Sequence, residues 1–396
     1  MKKILLLACM AIAASGVFAE DEKKAPEGFQ FTTVDSIAIT SVKDQHSSGT
    51  CWNYSSLGYF EAELLRMGKG EYDLCEPFVC FKTYMDRADK AVRTHGDVSF
   101  SEGGSFYDVA YCIKNYGIVP QEAMPFPGSL YGDSLFTFGQ FMAVSKAVVS
   151  TIAEGNWKSL KPVWKQDLSS IFEHYFGELP ETFEYKGKSY TPQTFAQSLG
   201  LNMDDYISLT SFNHEPFYDK FVIEVQDNWR WGQSYNLPLD EFMEVCDYAI
   251  KNGYTFAWGS DVSETGFSRK GVMTVPDVKA PAAPGTDQAH WTGLSDAQRR
   301  SEMAGKPGPE LTITQELRQE GYNNWETTDD HGMVIFGIAK DQTGKEYYMV
   351  KNSWGAAGDY NGIYYASKAF VAYKTINILV HKDGIPKDIR KKLGIK

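Results

Sequence analysis

Apolar positions along the chain follow first one period and then another. Residues 31–42 alternate loosely, with Phe31, Val34, Ile37, Ile39 and Val42, and predict a strand or extended arm. A Ser- and Gly-bearing loop covers 43–49. From 51 to 67 the spacing becomes helical: Leu57, Phe60 and Leu64 share a face, Gly68 and Gly70 end the run, and Ser47 or Ser48 is placed to cap its start. A second helix is expected over 103–117, opened by Gly103-Gly104 and closed by Gly117. The stretch 120–245 is mixed, with helical patches at 141–154 and 164–175. A helix over 240–252 stops at Gly253, and 254–258 reads as a strand. Five prolines, Pro276, Pro281, Pro284, Pro307 and Pro309, mark 275–310 as a long surface loop. Beyond His331 the pattern turns to strands at 333–339, 346–351, 362–366 and 374–380. The first two are joined by a hairpin turn, Asp341-Gln342-Thr343-Gly344. There is no internal repeat. A loop–helix unit at one end and an antiparallel sheet at the other give an α+β chain.

The N-terminus changes the picture. Lys2 and Lys3 precede an apolar run over 4–14, then small residues up to Val17-Phe18-Ala19, then Glu20, Asp21 and Glu22. This is the layout of a secretory signal peptide over residues 1–19, and the run is too short to span a bilayer. Residues 20–30 read as a linker and 31–396 as one elaborated domain. The expected location is outside the cytoplasm of a bacterium: periplasmic, cell-surface or secreted. The net charge of −12 disfavours nucleic acid as a partner, and the basic run over 387–396 reads as a solvated helix end or tail. Cys9 leaves with the signal, so five cysteines remain: Cys51, Cys75, Cys80, Cys112 and Cys246. Export permits disulfides, yet an odd count leaves a thiol over. With Cys51 reserved, the other four allow three pairings, or all stay reduced and buried. Without a CxxC pair, and with the other histidines off metal-ligand spacing, no metal site is expected.

The chemistry sits in two blocks. In Gln45-His46-Ser47-Ser48-Gly49-Thr50-Cys51-Trp52, the cysteine opens a helix, where the dipole favours a thiolate. Gln45, six residues earlier, is placed to donate to an oxyanion beside the Cys51 N–H. In the second block His331 starts one strand and Asn352 ends its hairpin partner, so the two fall side by side. Asn352 then orients the imidazole, Trp354 shields that hydrogen bond, and Asp329 and Asp330 are placed to raise the pKa of His331. Cys51, His331 and Asn352 make a nucleophile, a base and an orienting amide.

These blocks resemble the papain-like cysteine peptidases, and within them the bleomycin hydrolase and bacterial aminopeptidase C branch. Further stretches carry the likeness: Glu102-Gly103-Gly104, Asn115-Tyr116-Gly117-Ile118-Val119-Pro120, Phe176-Gly177-Glu178-Leu179-Pro180, Tyr190-Thr191-Pro192 and Trp258-Gly259-Ser260-Asp261-Val262. The resemblance spans most of 30–385. It implies a two-lobed papain-like fold, with an N-terminal helical lobe, a C-terminal antiparallel sheet lobe and a helical insertion over roughly 125–245. Cys51, His331, Asn352 and Gln45 are implied to be catalytic, and Gly103, Gly104 and Trp354 to line the substrate. Neither cofactor nor metal is implied, the substrate is a peptide, and the branch forms hexamers that enclose their sites. In secreted papains the positions of Ser48 and Ser101 carry a disulfide, so this fold does without it. In the branch a C-terminal arm returns to the cleft, where its carboxylate holds the substrate's amino group. With 44 residues after Asn352, the arm here is expected to fall short. An aminopeptidase is expected, with an open-cleft endopeptidase or transpeptidase as the rival and a silent peptide-binding homologue as the second.

Overall fold

The computed structural model describes residues 28–124, 138–278, 295, 298 and 302–396. The expected signal peptide and most of the expected loop over 275–310 lie outside the described residues.

Helix α1 (Cys51–Arg66) runs through the middle of the molecule. It is buried nearly all round, from Trp52 to Leu64, as befits a helix packed between other elements on every side. Helix α2 (Glu76–Arg93) starts on Glu76-Pro77, with Pro77 in the first turn, and ends on Lys90 and Arg93, in accord with the helix dipole. Helix α3 (Phe106–Tyr116) opens on a capping box in which the Ser105 N–H donates to Asp108 Oδ2 at 2.8 Å. Helices α4 (Phe138–Glu154) and α5 (Trp164–Phe176) close this helical lobe around Phe81, Tyr84, Phe141, Phe172 and Phe176. A two-stranded hairpin, β2 (Phe183–Tyr185) and β3 (Lys188–Tyr190), and helix α6 (Pro192–Leu199) complete it.

The other lobe is an eleven-stranded sheet. Its centre is β10 (His331–Asp341), paired antiparallel with β7 (Phe256–Ser260) on one side and β11 (Glu346–Lys351) on the other. All but one residue of β10 is buried, because α1 covers it and helix α7 (Leu239–Lys251) packs into the core that holds Met333 and Ile335. Outward from β11 come β12 (Ile363–Ser367), β9 (Val272–Met273) and β8 (Phe267–Ser268). Outward from β7 come β13 (Thr375–His381), β4 (Tyr206–Thr210), β6 (Gln233–Asn236) and β5 (Lys220–Val222). The N-terminal arm is β1 (Phe31–Ser36), which pairs with β10 and stacks Phe31 on Tyr365 at 3.8 Å. The hairpin turn forms as expected: Asp341 Oδ1 accepts the Thr343 and Lys345 N–H groups, and Gly344 takes φ 88°.

Several expectations are corrected. The sheet is not wholly antiparallel: β4–β6 and β9–β12 are parallel pairs within it. The expected insertion is not helical throughout: between α6 and α7, residues 206–236 supply three strands to the main sheet. Helix α2 was absent from the sequence reading, as were α8 (Gln315–Asn323) and α9 (Lys368–Lys374). The loop over 275–310 is pinned at its base, where the Asp277 N–H donates to Pro309 O and the Leu311 N–H to Val275 O. The C-terminus is α10 (Lys387–Lys392), anchored by buried Ile389 and Leu393.

Candidate active site

Cys51 and His331 meet because the first turn of α1 lies directly on the start of β10. Gly332 makes that approach fit: a Cβ there would stand 2.6 Å from Ser55 Oγ and 3.2 Å from Cys51 O. The Gly332 N–H is close enough to hydrogen-bond the Cys51 sulphur.

The imidazole is held on its far side. His331 Nε2 lies 2.7 Å from Asn352 Oδ1, which also accepts the Ser353 N–H at 2.7 Å. A backbone N–H can only donate, so the shared atom is the amide oxygen. His331 Nε2 therefore carries the proton and Nδ1 the lone pair. Trp354 stacks on the ring at 4.6 Å between centroids. It covers the imidazole rather than forming part of the cavity wall.

Ser353 extends the chain of hydrogen bonds. Its Oγ donates to Gln45 Oε1 at 2.6 Å, and its carbonyl accepts the Gln45 N–H at 2.8 Å. Gln45 Nε2 donates one hydrogen to Ser48 O at 2.7 Å, which leaves the second available. Gln45 is buried within the loop and, like Asn352, does not line the cavity.

The loop before Cys51 is tied to the Gly103-Gly104 segment by Glu102. Its carboxylate accepts the Gly49 N–H at 2.7 Å, and its carbonyl accepts Trp52 Nε1 at 3.1 Å. Ser101 Oγ accepts Arg87 Nη2, and Ser48 Oγ donates to Gln45 O. The two segments are thus joined by Glu102, beside the positions where the resemblance places a disulfide, while the two serines at those positions bond elsewhere. All five described cysteines are free thiols. Among the described residues no group of three or more ligating side chains could hold a metal ion.

Burial sets the electrostatics. It pushes the Cys51 thiol up to about 12, with the Asp329 and Asp227 charges adding to the rise and the Gly332 and Trp52 N–H groups opposing it. The dipole advantage expected from the sequence is outweighed. His331 goes the other way, lowered by burial to about 4, with the Asn352 bond opposing; the expected rise from the neighbouring acids is overridden. A lone charge on either group is costly here. A proton passed from thiol to imidazole creates both charges together, each offsetting the other's burial.

A cavity of ≈ 1170 Å³ opens beside this pair. Cys51, His331, Gly103 and Gly104 are on its wall, as is Asp227, which the sequence reading missed. Gly394, Ile395 and Lys396 also line it, so the C-terminal arm does reach the cavity, contrary to expectation. Ser353 was also missed as a participant; its place between Asn352 and Trp354 was the available signal.

A family model described as Peptidase C1-like family matches residues 149–289 and 314–395, which include His331 and Asn352. The chain is 23% identical over 418 residues to an aminopeptidase C of Streptococcus thermophilus, covering 94% of this chain and 87% of the relative. It is 22% identical over 423 residues to an aminopeptidase G of Lactobacillus delbrueckii subsp. lactis, covering 97% and 91%. A crystal structure of PepW from Lactobacillus rhamnosis HN001 superposes with a TM-score of 0.65 at 20% identity, covering 92% of this chain and 84% of that one, so the fold is shared.

Proposed function

The chain belongs to the Peptidase C1-like family and is an aminopeptidase C-like cysteine peptidase, and from that premise we propose that Cys51, His331, Asn352 and Gln45 are its catalytic centre and that it removes residues from the free amino end of peptides. The observation that carries the site is the hydrogen-bond chain from Gln45 through Ser353 and Asn352 to His331, which ends against Cys51.

In this reading His331 Nδ1 takes the thiol proton as Cys51 Sγ attacks the peptide carbonyl. The Cys51 N–H and the second Gln45 Nε2 hydrogen stabilise the oxyanion. The protonated imidazole gives its proton to the leaving amine, and the acyl–sulphur bond is then hydrolysed by water activated at the same nitrogen. Trp354 keeps bulk water from the His331–Asn352 bond.

The exopeptidase part is supported by the arm residues 394–396 on the cavity wall. A second reading, endopeptidase, is favoured by the size of the cavity, which has room for residues upstream of the cleaved bond. The deciding experiment compares release from one peptide amide with its amino group free and then acetylated, against a Cys51→Ala control. Cleavage of the free form alone supports the aminopeptidase. Equal cleavage of both supports the endopeptidase. No release above the control overturns the peptidase assignment of this site for such substrates.

Export is proposed from the layout of residues 1–19 alone. N-terminal sequencing of the chain recovered outside the cytoplasm should begin at Glu20; an intact N-terminus in the cytosolic fraction would overturn it.

A further inference from the structure

Arg87, on α2, is fully buried beside the active site, yet no catalytic step uses it. It is not on the cavity wall, so it does not touch substrate. A guanidinium out of water is costly unless its donors are taken, and packed apolar side chains commonly replace buried ions without loss of stability. The contacts of Arg87 show where its charge acts. Nε donates to Ser99 O at 2.8 Å, Nη1 to Gly103 O and Nη2 to Ser101 Oγ. The three acceptors stand at alternate positions of one segment, so a single planar fork grips that segment three times.

The Asp227 carboxylate lies against the same glycine. A Cβ on Gly103 would stand 1.8 Å from Asp227 Oδ2, and Asp227 Oδ1 is 3.7 Å from Arg87 Nη2. Asp227 belongs to the stretch between β5 and β6, in which Arg230 donates to Asp108 Oδ1 and Asp86 Oδ2, each at 2.6 Å. Gly103 is thus held at its carbonyl by the guanidinium and covered at its α-carbon by the guanidinium's counter-ion. The residues beside it are fastened differently. Glu102 bonds Gly49 N–H, Trp52 Nε1 and the Tyr84 hydroxyl, and Gly104 lies on the Trp52 ring.

Gly103 and Gly104 are on the cavity wall with Cys51. We propose that Arg87 is a positioning residue for the substrate: it fixes the Gly103-Gly104 wall relative to Cys51 and so sets how firmly the peptide is held before the chemical step. This rests on the peptidase reading above and on these glycines lining the substrate, and it holds for an aminopeptidase and an endopeptidase alike. The effect falls on binding because the reacting groups are held by other contacts. Gln45, Ser353, Asn352 and His331 bond to one another, and Glu102 holds the loop before Cys51. Without the fork, the Ser99 and Gly103 carbonyls lose their donors and Asp227 its counter-charge, so the wall shifts while the nucleophile stays.

The experiment measures kcat and KM for whichever peptide amide, free or acetylated, the wild type cleaves better. The variants are Arg87→Met and Arg87→Lys. Thermal melting reports folding, and kcat is counted per Cys51 alkylated by iodoacetamide. Arg87→Met should raise KM about 10-fold, the worth of one charge-assisted hydrogen bond, and leave kcat within about twofold. Arg87→Lys keeps the charge without the fork and should raise KM about fivefold. If only the Lys variant folds, it carries the test. A folded variant with KM within about twofold of the wild type overturns the proposal, and so does a fall in kcat at unchanged KM, which a general loosening of the lobe would give. Failure of both variants to fold would make Arg87 a residue of the core and overturn it as well. No release by the wild type above the Cys51→Ala control overturns the peptidase reading itself, and this proposal with it.

Discussion

His331 Nε2 and Asn352 Oδ1 are 2.7 Å apart, and the amide cannot turn because Ser353 N–H holds the same oxygen. The protein therefore fixes the tautomer of its base through a backbone group, which no side-chain substitution removes. Asn352→Ala should lower kcat/KM by about 10- to 100-fold, part of the 10²–10⁴ that a positioned base supplies. Asn352→Asp makes a sharper test. A carboxylate beside the ring favours the imidazolium, so the acid limb of the pH–rate profile should move to higher pH. An unmoved limb would mean that residue 352 does not act through His331.

The closeness of α1 to β10 gives a second expectation. Gly332→Ala places a methyl 2.6 Å from Ser55 Oγ and 3.2 Å from the Cys51 carbonyl oxygen. One of these neighbours can rotate away and the other is backbone. The variant should lose about 1–3 kcal/mol of stability, the usual range for overpacking. Its activity should fall further than stability explains, because His331 moves from Cys51. Adding Ser55→Ala should restore part of the stability and little of the rate. Full recovery of rate in the double variant would show that only the hydroxyl contact matters.

How much of this was legible in the sequence differs by element. The blocks around Cys51, His331 and Asn352 were legible because each is local: a helix start, a strand start and a hairpin end. The turn at Asp341–Gly344 brings His331 and Asn352 together, whereas Cys51 joins them through the packing of α1 on β10. Helix α2 was passed over although Pro77 marks its first turn, since its polar face, with Lys82, Asp86, Asp89 and Lys90, interrupts the apolar spacing. Strands β5 and β6, of three and four residues, are too short to show alternation. Asp227 had no signal. Its place beside Gly103 depends on Asp227 and Arg230 pairing with Arg87, Asp86 and Asp108, which lie more than a hundred residues earlier. The direction of the Cys51 and His331 pKa shifts was misread for a related reason: the dipole and the acids are local, whereas burial is made by both lobes together.

Those shifts bear on stability and on the thiol. Burial lowers His331 from 6.5 to about 4, so between these values the unfolded chain binds a proton that the folded chain refuses. This contribution to stability is whole above pH 6.5 and is lost as the pH falls toward 4. Asp329 works oppositely. Burial, then the Asp227 and Asp330 charges, raise it from 3.8 to about 7, so the folded chain holds a proton that the unfolded chain has released. Its contribution is a destabilisation that grows as the pH rises from 3.8 through 7. Asp329→Asn should therefore raise Tm at pH 8 and leave it nearly unchanged at pH 4. It should also speed iodoacetamide alkylation of Cys51 near neutral pH, because one charge opposing the thiolate is gone. Equal Tm differences at the two pH values would contradict the linkage.

Glu102 is where stability and rate should separate most clearly. Its carboxylate holds Gly49 N–H at 2.7 Å, while its carbonyl holds both Trp52 Nε1 and the Tyr84 hydroxyl. The backbone contacts survive any substitution; the carboxylate contact does not. Glu102→Ala leaves the Gly49 N–H without its acceptor and should cost about 1–3 kcal/mol. The loop it releases carries Gln45 and leads into Cys51, so kcat should fall more than KM rises, as expected when oxyanion donors lose their position. Glu102→Gln keeps an acceptor of the same reach and should recover most of kcat. Were both variants to lose kcat equally with unchanged melting, the charge of Glu102 rather than its grip on the loop would be what the reaction needs.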